Sequence, residues 1–421
     1  MPKKPDDVLV RARDLEVSFA LRGGSVARLF GRSSGEVKAV DRVNLELRTG
    51  EVLGVIGESG SGKTTLGRVM LGLVRPTGGS LQYRGTELSG LKDSALRALR
   101  TEMQMVFQDP NAALNPSMTV ETAVGHPLQV HGLASGAKLR ARVGQALERV
   151  GLTPVDRFLS KYPSDLSGGQ KQRVVIARAT ILEPTLLVAD EPISMLDMSV
   201  RAKILQLLLD LRTELDLTYV YITHDLASAK FFCDRVAIMY LGRIVEIGDT
   251  AEVFADPKHP YTKALLAAIP DPDPDRQLAK ELLRGEIPDA ARPPTGCSFH
   301  PRCPLAFDRC GWEARDLAAE LESHWLKAGT GAYDAERARI AGFEKLGAAT
   351  GDAHLRPGSG STTADLIALL ENMRREDPEA NFWSGVADIT DTGEEVVVRF
   401  HPHEDPLLRR AGAQEAACLL Y

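Results

Sequence analysis

Residues 57–65 combine closely spaced glycines with a lysine and several hydroxyl side chains. They read GESGSGKTT, which fits the spacing G-x4-G-K-[ST]. Glycines let backbone N–H groups turn toward phosphate oxygens, and a helix that begins after them adds its positive dipole end. Lys63 would neutralise the outer phosphates, and Thr64 would offer a hydroxyl to Mg²⁺. We therefore predict nucleotide binding by Gly57, Ser59, Gly60, Ser61, Gly62, Lys63, Thr64 and Thr65.

Two adjacent carboxylates follow an apolar segment further along the chain. Residues 186–191 read LLVADE, a buried strand that ends in Asp190 and Glu191. Alone this is a weak signal, because strand ends often carry solvated acids. In a protein that also has a phosphate loop, two acids at one strand end can serve two different roles, one in metal binding and one in acting on water. Asp190 would hold Mg²⁺, and Glu191 would act on the attacking water.

The composition is that of an ordinary soluble protein. The 421 residues are 43% hydrophobic and 26% charged, close to average usage. The net charge of −6 lacks the basic excess of a nucleic-acid binder. No apolar stretch follows the N-terminal lysines, and no run of about 18 apolar residues occurs. We expect a soluble, cytoplasmic protein whose membrane role would come through a partner.

Alternating strands and helices must position these groups. Over the first 260 residues short apolar runs alternate with amphipathic segments, which predicts an α/β fold with a mixed sheet. A helix is expected over 64–73, and residues 110–163 are rich in helix signals. The predicted strands are 37–47, 51–56, 103–107, 186–189, 219–223, 236–240 and 243–248.

A second glycine motif indicates the family. Residues 166–170 read LSGGQ and precede an apolar helix predicted at 174–182. With the phosphate loop, this motif resembles the signature of the ATP-binding subunits of ABC transporters. The resemblance implies an ABC-type P-loop ATPase, with a RecA-like core and a helical subdomain at about 110–180, that uses ATP and Mg²⁺.

The resemblance also implies roles for residues outside the phosphate loop. Gln108 matches the glutamine that senses Mg²⁺ and the attacking water, and His224 matches the histidine that contacts the γ-phosphate. Asp197 lies in SMLD, where the family usually has SALD, and the resemblance implies that it binds nucleotide. Phe19 is the candidate for stacking on adenine, with an ordinary core phenylalanine as the alternative. The residues expected to close over ATP held by a second subunit are Ser167, Gly168, Gly169 and Gln170. The implied catalytic residues are Lys63, Gln108, Glu191 and His224.

Three further segments narrow the resemblance to one branch. Residues 104–110 (QMVFQDP), 259–266 (HPYTKALL) and 285–288 (GEIP) resemble the oligopeptide/dipeptide/nickel importers. That branch implies a second, paralogous ATPase subunit, two permease subunits and an extracytoplasmic substrate-binding protein, with no nucleic acid. It also implies a location at the cytoplasmic face of the cell membrane.

Two alternative functions compete with the importer subunit. One is a soluble ABC-type ATPase acting on nucleic acid or ribosomes, and the other is a nucleotide-dependent regulator. Proteins of the first kind usually carry two nucleotide domains or a long coiled coil. This chain has one phosphate loop, one signature and an acidic net charge, which disfavours that alternative.

Four cysteines are candidate metal ligands. Cys297, Cys303 and Cys310 lie within 14 residues, in a segment that resembles the C-terminal extension of the branch, where some relatives bind a 4Fe–4S cluster. Cys418 resembles the fourth cysteine of that extension, displaced by roughly 100 inserted residues. Four thiolates suit iron–sulfur or zinc, and zinc sites more often have C-x2–4-C spacing. An iron–sulfur cluster is therefore favoured over zinc or metal-free thiols, and Cys233 is expected in the core.

We divide the chain into three predicted regions. These are an ABC ATPase domain at 1–256, a cysteine-bearing extension at 257–312 and an additional α+β segment at 313–421. A Pro/Asp linker at 270–275 lies in the extension. The last region should contain a helix capped by Thr363 and a hairpin from 384–390 to 394–400.

Overall fold

The computed structural model describes residues 7–20, 36–268, 285–328 and 330–421, without the side chains of 328 and 330–332. The Pro/Asp linker predicted at 270–275 lies outside these residues. The chain separates into two compact units, Met1–Asp256 and Pro257–Tyr421, and each is described by itself. Among the described residues, none of the helices combines the length and apolar character needed to cross a membrane.

The first unit alternates strands and helices along the chain. Its strands are β1 (Val8–Ala20), β2 (Glu36–Arg48), β3 (Val52–Ile56), β4 (Gly78–Tyr83), β5 (Thr86–Glu87), β6 (Met103–Val106), β7 (Leu186–Asp190), β8 (Thr218–Thr223), β9 (Arg235–Tyr240) and β10 (Arg243–Asp249). Its helices are α1 (Lys63–Met70), α2 (Asp93–Leu99), α3 (Pro110–Ala113), α4 (Val120–Val130), α5 (Gly136–Arg149), α6 (Asp156–Leu159), α7 (Gly168–Thr180), α8 (Met198–Leu215), α9 (Leu226–Phe232) and α10 (Thr250–Ala255).

A largely parallel sheet forms the centre of this unit, in the order β10-β9-β3-β8-β7-β6. Strands β3, β7 and β8 are buried along their whole length, because a parallel sheet is covered on both faces. Ile56 pairs with Thr223, and Asp190 pairs with Ile222. The carboxyl ends of these strands therefore meet at one edge of the sheet, where α/β proteins bind ligands.

Two further layers complete the unit. A smaller antiparallel sheet has the order β2-β1-β4-β5, and buried residues alternate with exposed ones along the second half of β2. Helices α3–α7 form a helical region in which α4 and α5 both pack on α7. Leu139, Val143 and Leu147 share the buried face of α5, as their spacing predicts.

The second unit is an α+β structure. Its helices are α11 (Pro260–Ala267), α12 (Ala314–Ala328), α13 (Thr330–Arg337), α14 (Phe343–Leu346), α15 (Thr363–Glu376) and α16 (Phe382–Gly385). Its strands are β11 (Ile340–Ala341), β12 (Ala353–Pro357), β13 (Val386–Asp391), β14 (Val396–Phe400), β15 (Arg409–Ala411) and β16 (Gln414–Ala416). The order β11-β12-β14-β13 makes one antiparallel sheet, against which α12 and α15 pack.

One hydrophobic core joins the extension to the additional segment. Cys310 and Trp312 belong to the same buried cluster as Trp325, Leu370 and Val398. The predicted division between 312 and 313 therefore falls inside a continuous core rather than at a break in packing.

The start of α15 differs from the prediction by one residue. Thr362, and not Thr363, is the N-cap: its hydroxyl accepts from the Asp365 backbone N–H at 3.3 Å, and the Asp365 carboxylate accepts from the Thr362 backbone N–H at 2.8 Å. This reciprocal capping box fixes the helix start. The apolar face is as predicted, with Leu366, Leu369, Leu370 and Met373 buried.

Gly385 provides a test of the second unit's core. A Cβ at this position would overlap the Trp312 ring, which is held by a hydrogen bond from its indole N–H to the Phe307 carbonyl at 2.8 Å. We expect Gly385→Ala to lower the free energy of unfolding by about 1–3 kcal/mol, because the ring must shift. Urea unfolding followed by tryptophan fluorescence measures this unit selectively, since all 3 tryptophans lie in it.

The matched control is Gly347→Ala, where a Cβ meets no atom within 4 Å. It should leave stability unchanged or raise it slightly. Equal midpoints for both variants would show that the Trp312 contact does not constrain the core.

Candidate functional site

The phosphate loop connects β3 to α1 and is shaped by close backbone approaches. Gly62 has φ 99°, a conformation that glycine adopts readily. A Cβ at Gly62 would overlap the Ala39 carbonyl, and one at Gly57 would overlap the Met239 carbonyl. The motif glycines therefore let the loop fold tightly against neighbouring backbone.

Two loop side chains provide groups that suit phosphate. Lys63 is only 6% exposed, and its Nζ donates to the carbonyls of Gly57 and Glu58, both at 2.8 Å. Burial lowers the pKa of Lys63, and the negative charges of Glu191, Asp190 and Glu58 oppose that shift. The Ser61 hydroxyl is buried without a hydrogen-bond partner in the described structure. A cation and an unsatisfied hydroxyl thus lie in one loop, which fits an anionic ligand.

The residues predicted to hold Mg²⁺ are brought together. The Thr64 hydroxyl donates to Asp190 Oδ1 at 3.0 Å, although 126 residues separate them in sequence. Asp190 is 3% exposed. Burial raises its pKa, while the hydrogen bond from Thr64 and the charges of Arg68 and Lys63 act in the opposite direction. Hydroxyl and carboxylate oxygens are suitable ligands for Mg²⁺.

Glu191 lies beside this pair and is held from two sides. Its Oε2 accepts from Gln108 Nε2 at 2.8 Å, and its Oε1 lies 3.0 Å from His224 Nδ1. The Glu191 backbone has φ 46°, and its N–H donates to the Ile222 carbonyl at 2.9 Å. The side chain remains 15% exposed. Three predicted catalytic residues thus form one cluster at the sheet edge, with a carboxylate that water can reach.

The signature motif forms the start of α7. Ser167 and Gln170 cap each other, with Ser167 Oγ accepting from the Gln170 N–H at 3.3 Å and Gln170 Oε1 accepting from the Ser167 N–H at 3.0 Å. Ser167 and Gly168 are exposed, and Gly169 lies against Val200. Within the described residues, no hydrogen bond joins this helix start or Asp197 to the phosphate loop. The exposed helix start is therefore open to a ligand or partner.

Phe19 lies near the end of β1, paired with Val37 of β2. Its side chain is 46% exposed. An exposed ring at a strand end differs from an ordinary core phenylalanine and is available for stacking.

The four clustered cysteines line one pocket of the second unit. Cys297, Cys303, Cys310 and Cys418 surround it together with apolar side chains of Phe299 and Phe307. Burial raises the pKa of Cys297 to about 12 and that of Cys303 to about 12, and the neighbouring cysteines add to both shifts. Cys233 lies elsewhere, buried against Gly54.

The cysteines of this pocket are not arranged to bind a single metal ion. Across the described ranges, no three His, Cys, Asp or Glu side chains are arranged to hold one metal ion. A zinc site places its thiolates roughly 4 Å apart, because each Zn–S bond is about 2.3 Å.

The pair of buried side chains His300 and Asp316, beside the pocket, was not predicted from the sequence. His300 Nδ1 lies 2.8 Å from the Cys297 carbonyl, and its Nε2 lies 3.2 Å from Asp316 Oδ2. Both side chains are buried. Asp316 lies in the first turn of the amphipathic helix α12. The sequence shows an acid at this position but not that its side chain is buried.

Comparisons with known proteins decide the family. Residues 40–194 match the model of ABC transporters, and residues 245–310 match the C-terminal region of oligopeptide/dipeptide transporters. A putative peptide import ATP-binding protein of Brucella ovis is 44% identical over 307 residues, which are 73% of this chain and 96% of the relative. The chain belongs to the oligopeptide/dipeptide branch of the ABC transporter ATPases. It is an ATP-binding and ATP-hydrolysing subunit of an ABC importer, as the motifs predict.

Other relatives agree with this assignment. The oligopeptide transport ATP-binding protein OppF of Escherichia coli is 46% identical over 306 residues, covering 72% of this chain and 90% of OppF. A putative oligopeptide transport ATP-binding protein of Bacillus subtilis, YkfD, is 48% identical over 289 residues, or 68% of this chain and 87% of YkfD. These relatives do not favour an ATPase acting on nucleic acid or ribosomes.

Solved structures support the ABC fold. The dimeric cassette MJ0796 in a post-hydrolysis state with ADP and Pi has a TM-score of 0.50 and 32% identity. The likeness covers 57% of this chain and 98% of that one. A second structure of MJ0796, also dimeric, has a TM-score of 0.51 and 31% identity. The predicted fold class is confirmed for the ATPase core.

Proposed function

We propose that this ABC ATPase drives the import of peptides or related small solutes. In this proposal it pairs with a second, paralogous ATPase subunit, acts on two membrane permease subunits and receives cargo through an extracytoplasmic substrate-binding protein. It would work at the cytoplasmic face of the cell membrane. The peptide assignment is supported by the names of the relatives, two of which are oligopeptide transport proteins.

The arrangement around Glu191 carries the catalytic part of the proposal. Glu191 would polarise the attacking water, while Gln108 and His224 orient its carboxylate. Thr64 and Asp190 would hold Mg²⁺, with Gln108 within reach of the metal and the water. The loop N–H groups and Lys63 would bind the phosphates.

Two further contacts to ATP are proposed. Phe19 would stack on adenine, for which its exposed ring is suited. The exposed helix start would bind the nucleotide held by the partner subunit, because its backbone N–H groups and dipole attract phosphate. The residues assigned to that contact are Ser167, Gly168, Gly169 and Gln170, and Asp197, which precedes α8, is a further proposed nucleotide contact.

Glu191→Gln tests the catalytic assignment. The amide keeps the size of the side chain but cannot accept a proton, so we expect ATP turnover to fall roughly 10²–10⁴-fold, or about 3–5 kcal/mol of barrier. ATP affinity should be retained. Turnover by the chain assembled with its transporter, together with equilibrium ATP binding, separates the two effects. Glu148→Gln, an exposed position on α5, is the control and should match wild type, whereas wild-type turnover in Glu191→Gln would refute the role.

We also propose that the cysteine pocket holds a 4Fe–4S cluster. Four cysteines facing one apolar pocket supply the required number of ligands. Burial raises the pKa of Cys297, Cys303 and Cys310, so their thiols are neutral without a cluster. Cluster binding would release their protons. Cys418 would supply the ligand from the end of the chain.

Cys418→Ser tests the cluster through its composition. Full-length protein purified without oxygen should contain iron, labile sulfide and visible charge-transfer absorbance, and the variant should lose most of all three. Cys233→Ala is the matched control, since Cys233 lies outside the pocket, and it should keep the iron content. Wild-type protein without iron would contradict the proposal, and zinc in its place would support the alternative metal.

A further inference from the structure

A large groove lies in the second unit, distant in sequence from every residue of the ATP site. Its volume is about 860 Å³, within the usual range for small-molecule sites. Helices α12 and α15 form its two sides, and residues at the start of α16 close one end. Neither the ATPase function nor the cysteine pocket uses any of these side chains.

The floor of the groove is apolar. Trp325 and Trp383 line it together with Leu369 and Met373. Trp325 is 0% exposed, and its indole N–H, which has no hydrogen-bond partner in the described structure, is buried out of reach of a ligand in the groove. The floor therefore offers a ligand apolar contacts.

The rim carries charges of both signs. Glu376 Oε2 lies 3.4 Å from His324 Nδ1, and Asp377 Oδ2 lies 4.0 Å from Lys327 Nζ. Ion pairs this long contribute little stability, so the ammonium group of a ligand can replace His324 or Lys327 beside these carboxylates. Arg375 also lines the groove and has no ion pair among the described residues. Its guanidinium is a suitable partner for a carboxylate.

We propose that this groove binds a small zwitterion with an apolar side chain, namely an α-amino acid or a short peptide. The ligand's ammonium group would lie against Glu376 and Asp377, and its carboxylate would bind Arg375. The apolar side chain of the ligand would cover Trp383 and Met373. A phosphate ligand fits poorly, because carboxylates are interspersed with the cations around the rim.

Calorimetric titration of the full-length chain tests the ligand class. The probes are the dipeptide Leu-Leu and free L-leucine, each also in its N-acetylated and its C-amidated form. We expect saturable binding of at least one unblocked zwitterion, and at least about tenfold weaker binding when either end of that ligand is blocked. Comparison of dipeptide with leucine distinguishes a peptide site from an amino-acid site.

Arg375→Gln tests whether the ligand binds in the groove. The substitution should weaken the affinity for the unblocked ligand at least about tenfold and leave the affinity for its C-amidated form unchanged. Arg374→Gln is the matched control, because Arg374 is the exposed neighbour on α15 that does not line the groove. No binding of any probe at millimolar concentration, or equal binding by wild type and Arg375→Gln, overturns the proposal. Neither result affects the ATPase assignment, because none of the ATP-site residues lines this groove.

Discussion

The parallel pairing of β3, β8 and β7 is the constraint on which the ATP site depends. Each strand is buried, and their register places Ile56, Thr223 and Asp190 near one edge of the sheet. The phosphate loop leaves the first of these strands, His224 follows the second and Glu191 follows the third. Residues far apart in sequence thus meet at hydrogen-bond distance because the sheet fixes where their strands end.

The site is built from buried charges whose partners are close. Lys63 and Asp190 are both largely covered, and isolated charges in such places would be costly. The Thr64 hydroxyl compensates Asp190, and two backbone carbonyls receive the Lys63 ammonium group. These contacts hold the side chains of Lys63, Thr64 and Asp190 in place in the described structure.

The structure brings together the residues that sequence spacing assigned to the ATP site, whereas several contacts of the second unit were not predicted. Some features can be predicted from a short stretch of sequence. Examples are a glycine where a side chain would overlap neighbouring backbone, such as Gly62, and acids at the ends of strands. The His300–Asp316 pair and the core shared by Cys310 and Val398 depend on contacts between segments that are distant in sequence. The groove between α12 and α15 likewise arises only when the helices pack. Even the α15 cap was misplaced by one residue, because Thr362 and Thr363 are chemically equivalent until the Asp365 bond is seen.

The proposed Mg²⁺ site consists of Thr64 and Asp190, beside Glu191. The most direct measurement is the affinity of the full chain for ATP with and without Mg²⁺, compared between wild type and Asp190→Asn. In wild type Mg²⁺ should strengthen ATP binding by at least about tenfold, and in the variant the two affinities should be nearly equal. If Asp190→Asn keeps the wild-type gain from Mg²⁺, the metal is bound elsewhere and the account of the site is wrong.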